Sequence, residues 1–399
     1  AANDAIAIGY QSNAQHKNST AIGAGSATNR ADQIMLGKAS TEVTVANLTG
    51  TGTAIVVANS GGTLSRSNIS DSGLDSLKCE SNGDNAVCFG PGANATGMNT
   101  TAIGAYANAA TSSNTTDYGA TAVGASSNAS ARAVAVGIAA NASGADSVAI
   151  GNSATANTIS AIAIGNTASA RGTDSIALGR EATASQSGAA AFGLGANASA
   201  NTSLAIGRYA NAAANDAIAL GGSSQATDQD ATAIGSGARG SAIFSTAVGR
   251  SAFATDQYSI AIGTVAKASG KNSLAIGYQA VALNKDSSAF GKGANASGSE
   301  STAIGYAAKA SGEDSSAFGK EANASGSEST AVGYEAKASA DDSSAFGYEA
   351  NASGNGSIAL GYKSISSDTY ATAVGASANA SNQSATAIGA SANASGVYS

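Results

Sequence analysis

The chain has 399 residues, with 50 Gly, one Pro, no Trp and a net charge of −7 at pH 7. That balance argues against a nucleic-acid binder, which needs a basic stripe. Ala supplies much of the apolar fraction, so a thick globular core is not expected.

Residues 1–40 carry three copies of one short phrase: a β-branched or small residue, Ala, an aliphatic residue, then Gly. The copies end at Gly9, Gly23 and Gly37, fourteen residues apart. Residues 41–84 break the period. Thr41 to Val45 alternates and Ala54 to Ala58 is apolar, both beside Gly-rich turns, so two or three strands are expected in a β-rich insertion. Ser70 to Leu77 is polar and gives no pattern. Cys79 and Cys88 flank Asn82-Gly83-Asp84-Asn85, a turn sequence. A local disulfide closing a hairpin fits an oxidising compartment; two buried thiols is the alternative.

From 85 to 399 the phrase returns. Copies at Gly90 and Gly104 are followed by Gly124, six residues late, with Thr111 to Thr116 as the expected bulging loop. From Gly137 to Gly389 the glycines then step by fourteen through nineteen copies. An unbroken short period means a solenoid that grows by stacking. A coiled coil is excluded by the glycines and by apolar residues that alternate with period two. Each coil is therefore read as strand, turn, strand, turn, with parallel pairing to the next coil. The second turn, seven residues after the Gly, often holds Gly, Asn or Asp and is expected to need a positive φ.

The face assignment follows from the alternation, with polar residues placed outward and the larger apolar residues set against small ones across the core. In the first strand, the residues flanking Ala are expected inward. In the second, the paired alanines such as Ala294 and Ala296 are expected to face them across a thin core, with Asn295, Lys309, Asn323, Lys337 and Asn351 outward. On this reading Ile276→Asp buries a charge in each chain. The Ala of the first strand then faces out. It is Ala in all but two of the twenty-five copies, Met35 and Cys88 being the exceptions. Ala149, Ala163, Ala177, Ala205, Ala233, Ala261, Ala275, Ala303 and Ala331 are thus the expected interface with identical chains, since a long apolar stripe should not face water.

The phrases Asn272-Ser273-Leu274-Ala275-Ile276-Gly277 (followed by Ala280 and Ala282), Asp146-Ser147-Val148-Ala149-Ile150-Gly151 and Asp174-Ser175-Ile176-Ala177-Leu178-Gly179 resemble the head repeat of YadA-like trimeric autotransporter adhesins. The resemblance covers roughly 1–40 and 85–399; the insertion resembles connectors in such proteins less specifically. It implies an all-β fold: a left-handed parallel β-roll solenoid with 14-residue coils, assembled as a homotrimer. It implies a passenger exposed on a bacterial outer membrane, held by a C-terminal stalk and anchor outside this sequence. It also implies attachment to extracellular matrix, host cells or abiotic surfaces, and self-association.

No constellation supports catalysis, and no cofactor is implied. His16 lies in a polar turn. Glu321, Glu335 and Glu349 share one coil position, either as a metal ladder or as a solvated row relieved by Lys320 and Lys337. Tyr306, Tyr334, Tyr348 and Tyr362 each follow the repeat Gly; they form an exposed contact row or pack over the turn. Two other readings stand beside the adhesin head. One is a rigid spacer carrying another binding tip. The other is an ice-binding solenoid, disfavoured because Thr302, Thr330, Thr372 and Thr386 are placed inward.

Overall fold

The computed structural model describes residues 4–38, 56–58, 64–66, 80–81, 84–110 and 119–399. The chain divides into two compact units, Ala1–Leu77 and Lys78–Ser399. No helix occurs among the described residues. Thr41 to Val45, Ser70 to Leu77, Cys79 and the expected loop Thr111 to Thr116 lie outside them.

The first unit contains a three-stranded parallel ladder, β1 (Ile6–Ile8), β2 (Thr20–Ile22) and β3 (Ile34–Leu36). It also contains one antiparallel pair, β4 (Val56–Ala58) with β5 (Leu64–Arg66), in register Val56↔Arg66.

The second unit is a parallel β-solenoid. Twenty-two three-residue strands, from Val87–Phe89 to Thr386–Ile388, form one continuous ladder. The second strands, mostly two residues long, form the other, which begins at Glu80–Ser81. Register is residue for residue one coil on: Val148↔Ile162, Ala149↔Ala163, Ile150↔Ile164. The six extra residues before Gly124 do not interrupt either ladder, for Asn108 pairs directly with Asn128 and Thr101 with Thr121. At about 4.8 Å per coil, this unit extends roughly 100 Å along its ladders.

The core consists of small residues. In the first strand Ala149, Ala163, Ala177, Ala205, Ala233, Ala261, Ala275, Ala303 and Ala331 are all at 0% exposure. Facing them are the second-strand pairs, such as Ala294 and Ala296, also fully buried. The inward position two residues before the first-strand Ala is Ser or Ala in every coil of the second unit but one, where it is Thr100: Ser147, Ala161, Ser175 and Ala189 are examples. The largest wholly buried side chain among the described residues is Thr100.

The expected faces of the first strand are therefore reversed. None of the nine candidate alanines reaches the surface, so none can touch another chain. The flanking residues point outward and remain partly exposed, Ile150 at 37% and Phe346 at 38%. Two strands wound in fourteen residues bring the sheets so close that methyl and hydroxymethyl groups fill the gap. An Ile or Phe there would overpack it. The second strand is as expected, with Ala inward and Asn or Lys outward.

The turns explain the glycine period. Gly151 has φ +135°, and a Cβ built on it would lie 2.4 Å from the carbonyl oxygen of Gly165. The stacked coils approach too closely there for any side chain. Left-handed residues near φ +55° recur two and nine residues after the Gly, for example Thr167 and Asp174. The expected positive φ at the seventh residue is not found: Gly144 and Gly172 lie outside that region. Those glycines serve close stacking instead, since a Cβ on Gly144 would lie 1.9 Å from the oxygen of Thr158. Buried serines close the second turn, as where Ser147 Oγ donates to the Gly144 carbonyl at 2.7 Å. Such a bond satisfies a hydroxyl that would otherwise be costly to bury.

Candidate functional surfaces

Each coil of the second unit presents four sides to its surroundings: the first-strand sheet, the turn at the repeat Gly, the second-strand sheet, and the second turn. Their chemistry differs because the core constrains only the inward residues.

The first-strand sheet carries an apolar stripe two residues wide. Over 134–220 both columns are mainly aliphatic, as in Val148/Ile150 and Ile162/Ile164, with Phe192 the exception. Over 288–346 one column becomes Ser or Thr and the other alternates Phe with Ile or Val. Thr302, Thr330, Thr372 and Thr386 belong to this outward face, not the interior. The expected inward placement of these threonines, on which ice binding was disfavoured, is thus reversed. The row is still no regular Thr ladder, being broken by Ser, Ile and Leu.

The second-strand sheet is polar outside. Asn94 Nδ2 donates to Asn108 Oδ1 at 2.9 Å, Asn108 to Asn128 at 2.7 Å, and Asn128 to Asn141 at 2.9 Å. This amide ladder links successive coils along the sheet. Farther on, Ala307, Lys309, Glu321, Asn323, Glu335 and Lys337 line a shallow furrow. It continues past Glu349, Asn351, Lys363 and Ile365.

The turn at the repeat Gly bears the tyrosines. Tyr306, Tyr348 and Tyr362 are about half exposed, and Tyr334 somewhat less. Tyr334 and Tyr348 stack with centroids 4.9 Å apart, Tyr348 and Tyr362 at 5.3 Å. Lys320 Nζ lies 4.8 Å from the Tyr334 ring and 6.0 Å from Tyr306. Lys292 Nζ sits between Tyr278 and Tyr306, at 5.9 and 5.5 Å. The row is exposed, and most of its ring faces are taken by neighbouring tyrosines and lysines. Tyr278, Lys292 and Lys320 are members that sequence reading did not assign to the row. They occupy the same position in their coils, so the fourteen-residue step would have found them.

The electrostatics of this row are local. The Tyr334 phenol is pushed above its ordinary range chiefly by a hydrogen bond with Glu335, and Tyr348 likewise by Glu349. Lys320 and Lys363 are raised, first by Tyr334 and by Glu349 respectively. Lys363 Nζ lies 3.3 Å from Glu349 Oε2 and Lys320 Nζ 3.5 Å from Glu321 Oε1. These pairs fit the solvated reading of the Glu row. Among the described residues no group of three His, Cys, Asp or Glu is arranged to hold a metal. Cys88 is disulfide-bonded; Cys79, the candidate partner, lies outside the described residues.

A parallel solenoid of fourteen-residue coils, with a small-residue core and an apolar outer stripe, defines the class of protein. The YadA head domain repeat, in its two-copy form, matches the chain at residues 2–26, 81–107, 131–196, 212–238, 241–266, 268–294, 296–322, 324–350, 352–378 and 380–399. The chain belongs to the YadA head repeat family, a family of adhesins rather than enzymes. Among solved structures it is similar to the collagen-binding domain of the Yersinia adhesin YadA. The two are 20% identical over 57% of this chain and 72% of that domain, with a TM-score of 0.13. The global superposition is poor, and no residue correspondence follows from it. A search of curated proteins finds no match.

Proposed function

We propose that the chain is the head of a bacterial surface adhesin, a rigid rod displayed by a passenger outside the outer membrane and assembled from three identical chains. The observation that carries this reading is the apolar stripe. It runs along twenty-two coils, and in a single chain Ile150, Leu220 and Ile304 remain 37–39% exposed. A continuous apolar face of that length requires a cover. Identical chains, each offering the same face toward one axis, supply it.

In this reading the coils are left-handed, the first segment and the long roll are joined by the connector, and Cys79 pairs with Cys88. Extracellular matrix proteins, host cells or abiotic surfaces are the partners, and avidity from three chains strengthens weak repeated contacts. Tyr306, Tyr334, Tyr348 and Tyr362 are the contact candidates, acting through ring edges and hydroxyls because their faces are largely stacked. That same stacking favours a second reading, in which this stretch is a stiff spacer and the binding tip lies elsewhere.

Two measurements test the proposal. Light scattering on the purified chain should give three times 37.8 kDa. Binding to a panel of immobilised matrix proteins should then separate head from spacer. A trimer that binds nothing on matrix, cells or plastic supports the spacer; a monomer at all concentrations removes the basis of both.

A further inference from the structure

We propose that the face running from the repeat-Gly turn onto the second-strand sheet, over residues 208–309, binds a linear sulfated glycan. This deepens the adhesin reading and rests on it for the setting in which such a glycan is met. It needs neither the tyrosine row nor the trimer.

The observation is a separation of charge that the net value of −7 hides. From Arg208 to Lys309 the chain has six carboxylates and eight cations. Every carboxylate, from Asp216 to Glu300, stands on a second turn. Six of the cations stand on the other side of the coil. Arg208, Arg250 and Lys292 directly follow the repeat Gly, and Arg239, Lys267 and Lys309 are the outward residues of second strands. In chain order they alternate between these two columns, so the charges zigzag over roughly 34 Å at about 4.8 Å per coil. All six are exposed. None is in an ion pair among the described residues, whereas Lys285, Lys320 and Lys363 each hold a carboxylate.

The column between the two sets the sign of the surface. From Tyr209 to Ala307 the residue two after the repeat Gly is uncharged in every coil. In the next coils it is Glu321, Glu335 and Glu349, lining one furrow with Lys309 and Lys337. The same surface is thus neutralised in one stretch and left purely cationic in the other, and a cationic strip attracts a polyanion. It fits a glycan better than a nucleic acid. Single strands are held by successive aromatic platforms. Here Phe253 is the one ring in the second-strand column, and Lys292 lies over Tyr278. Amides at Asn211, Gln225 and Asn295 stand among the cations and can bond sugar hydroxyls. In the assembly proposed above, the second-strand sheet faces away from the axis, so its cations stay open.

The test is binding of the full chain to immobilised heparin, read by surface plasmon resonance across a salt series, with its mass checked by light scattering. The expected result is binding at physiological salt that weakens steeply as salt rises. Arg239→Ser with Lys267→Ser should raise the dissociation constant about tenfold. Gln279→Glu with Ala307→Glu carries the carboxylate column into this stretch and should also raise it about tenfold. Lys271→Ser, on a second turn, should leave it within about twofold. Should circular dichroism show one double variant misfolded, the other decides. No binding to heparin overturns the site; where the same chain still forms a trimer and holds matrix proteins, the adhesin reading stands. Heparin binding by a monomer keeps the site and removes the trimer. A loss with Lys271→Ser equal to that of the double variants overturns the site, as does desulfated heparin competing as well as heparin. Single-stranded DNA competing as strongly as heparin of equal charge overturns the assignment to a glycan.

Discussion

Residues 134–220 and 288–360 build the same roll with different exteriors. Inside, both stretches place Ala in the centre of the first strand, Ala at the end of the second, and Ser or Ala between, all buried. Outside they diverge. The first stretch covers its first-strand sheet with two columns of mainly aliphatic residues, and its Gly turns hold an unrelated mixture such as Asn152, Asn166 and Leu194. The second replaces one column largely with Ser and Thr, spaces Phe290, Phe318 and Phe346 two coils apart, and lines its Gly turns with tyrosine and lysine. Winding two strands in fourteen residues fixes the core, whereas the exterior is free to specialise. Coils of one architecture can therefore present different outer surfaces along one roll.

The largest effects are expected in the core that both stretches share. Ala163→Leu in the first stretch and Ala317→Leu in the second should each cost about 3 kcal/mol or more, because the facing sheet cannot retreat without disturbing adjacent coils. Thermal unfolding followed by circular dichroism would show it. If either variant melted like the parent, the inward placement of the first-strand Ala would be wrong. Gly305→Ala comes next. Its Cβ would lie 2.3 Å from the Gly319 oxygen at φ +139°, so a loss of about 2 kcal/mol or more is expected in the same assay.

The outer stripe should separate the two stretches. Ile162→Asp together with Ile164→Asp should leave the secondary structure of the chain intact and abolish its assembly. Ser316→Asp, in the hydroxyl column, should weaken assembly less. Light scattering across a dilution series compares them, and equal effects would remove the distinction. Ile276→Asp belongs with the first pair. It exposes a charge on the stripe rather than burying one within the chain, so its effect should fall on association more than on folding.

The aromatic row gives a smaller effect. Tyr348→Ala removes two stacked contacts and should cost about 1 kcal/mol. Asn166→Ala, at the equivalent position of the first stretch, should change stability by no more than about 0.5 kcal/mol. The smallest effect is on pH dependence. Tyr334 and Tyr348 are raised above the ordinary phenol range by Glu335 and Glu349. Their contribution to stability is fully present below the unfolded value of about 10 and is lost as pH rises through the folded values. Ultraviolet titration should show these rings ionising later than free tyrosine. Glu335→Gln with Glu349→Gln should remove the delay.

The period was legible in the sequence, and with it the solenoid, its parallel register and the alternation of faces. A fourteen-residue repeat of β-branched residues, Ala and Gly has few other solutions. The placement of Asn295 and Lys309 outside and Ala294 and Ala296 inside followed from polarity alone. The first strand was different, because Ala and Ile are both apolar and polarity does not rank them. Size does, and the chain held that signal. The Ala position hardly varies among its own copies, as a tightly confined site requires. The flanking positions range over Val, Ile, Leu, Phe, Ser and Thr, as a surface allows. The sheet spacing that makes this decisive is a property of the wound coil and is written in no single copy. Likewise, Tyr334, Tyr348 and Tyr362 could be placed in one row from their spacing. That they spend their faces on one another, with lysines over the remaining rings, was decided only when successive coils came to rest a strand's width apart.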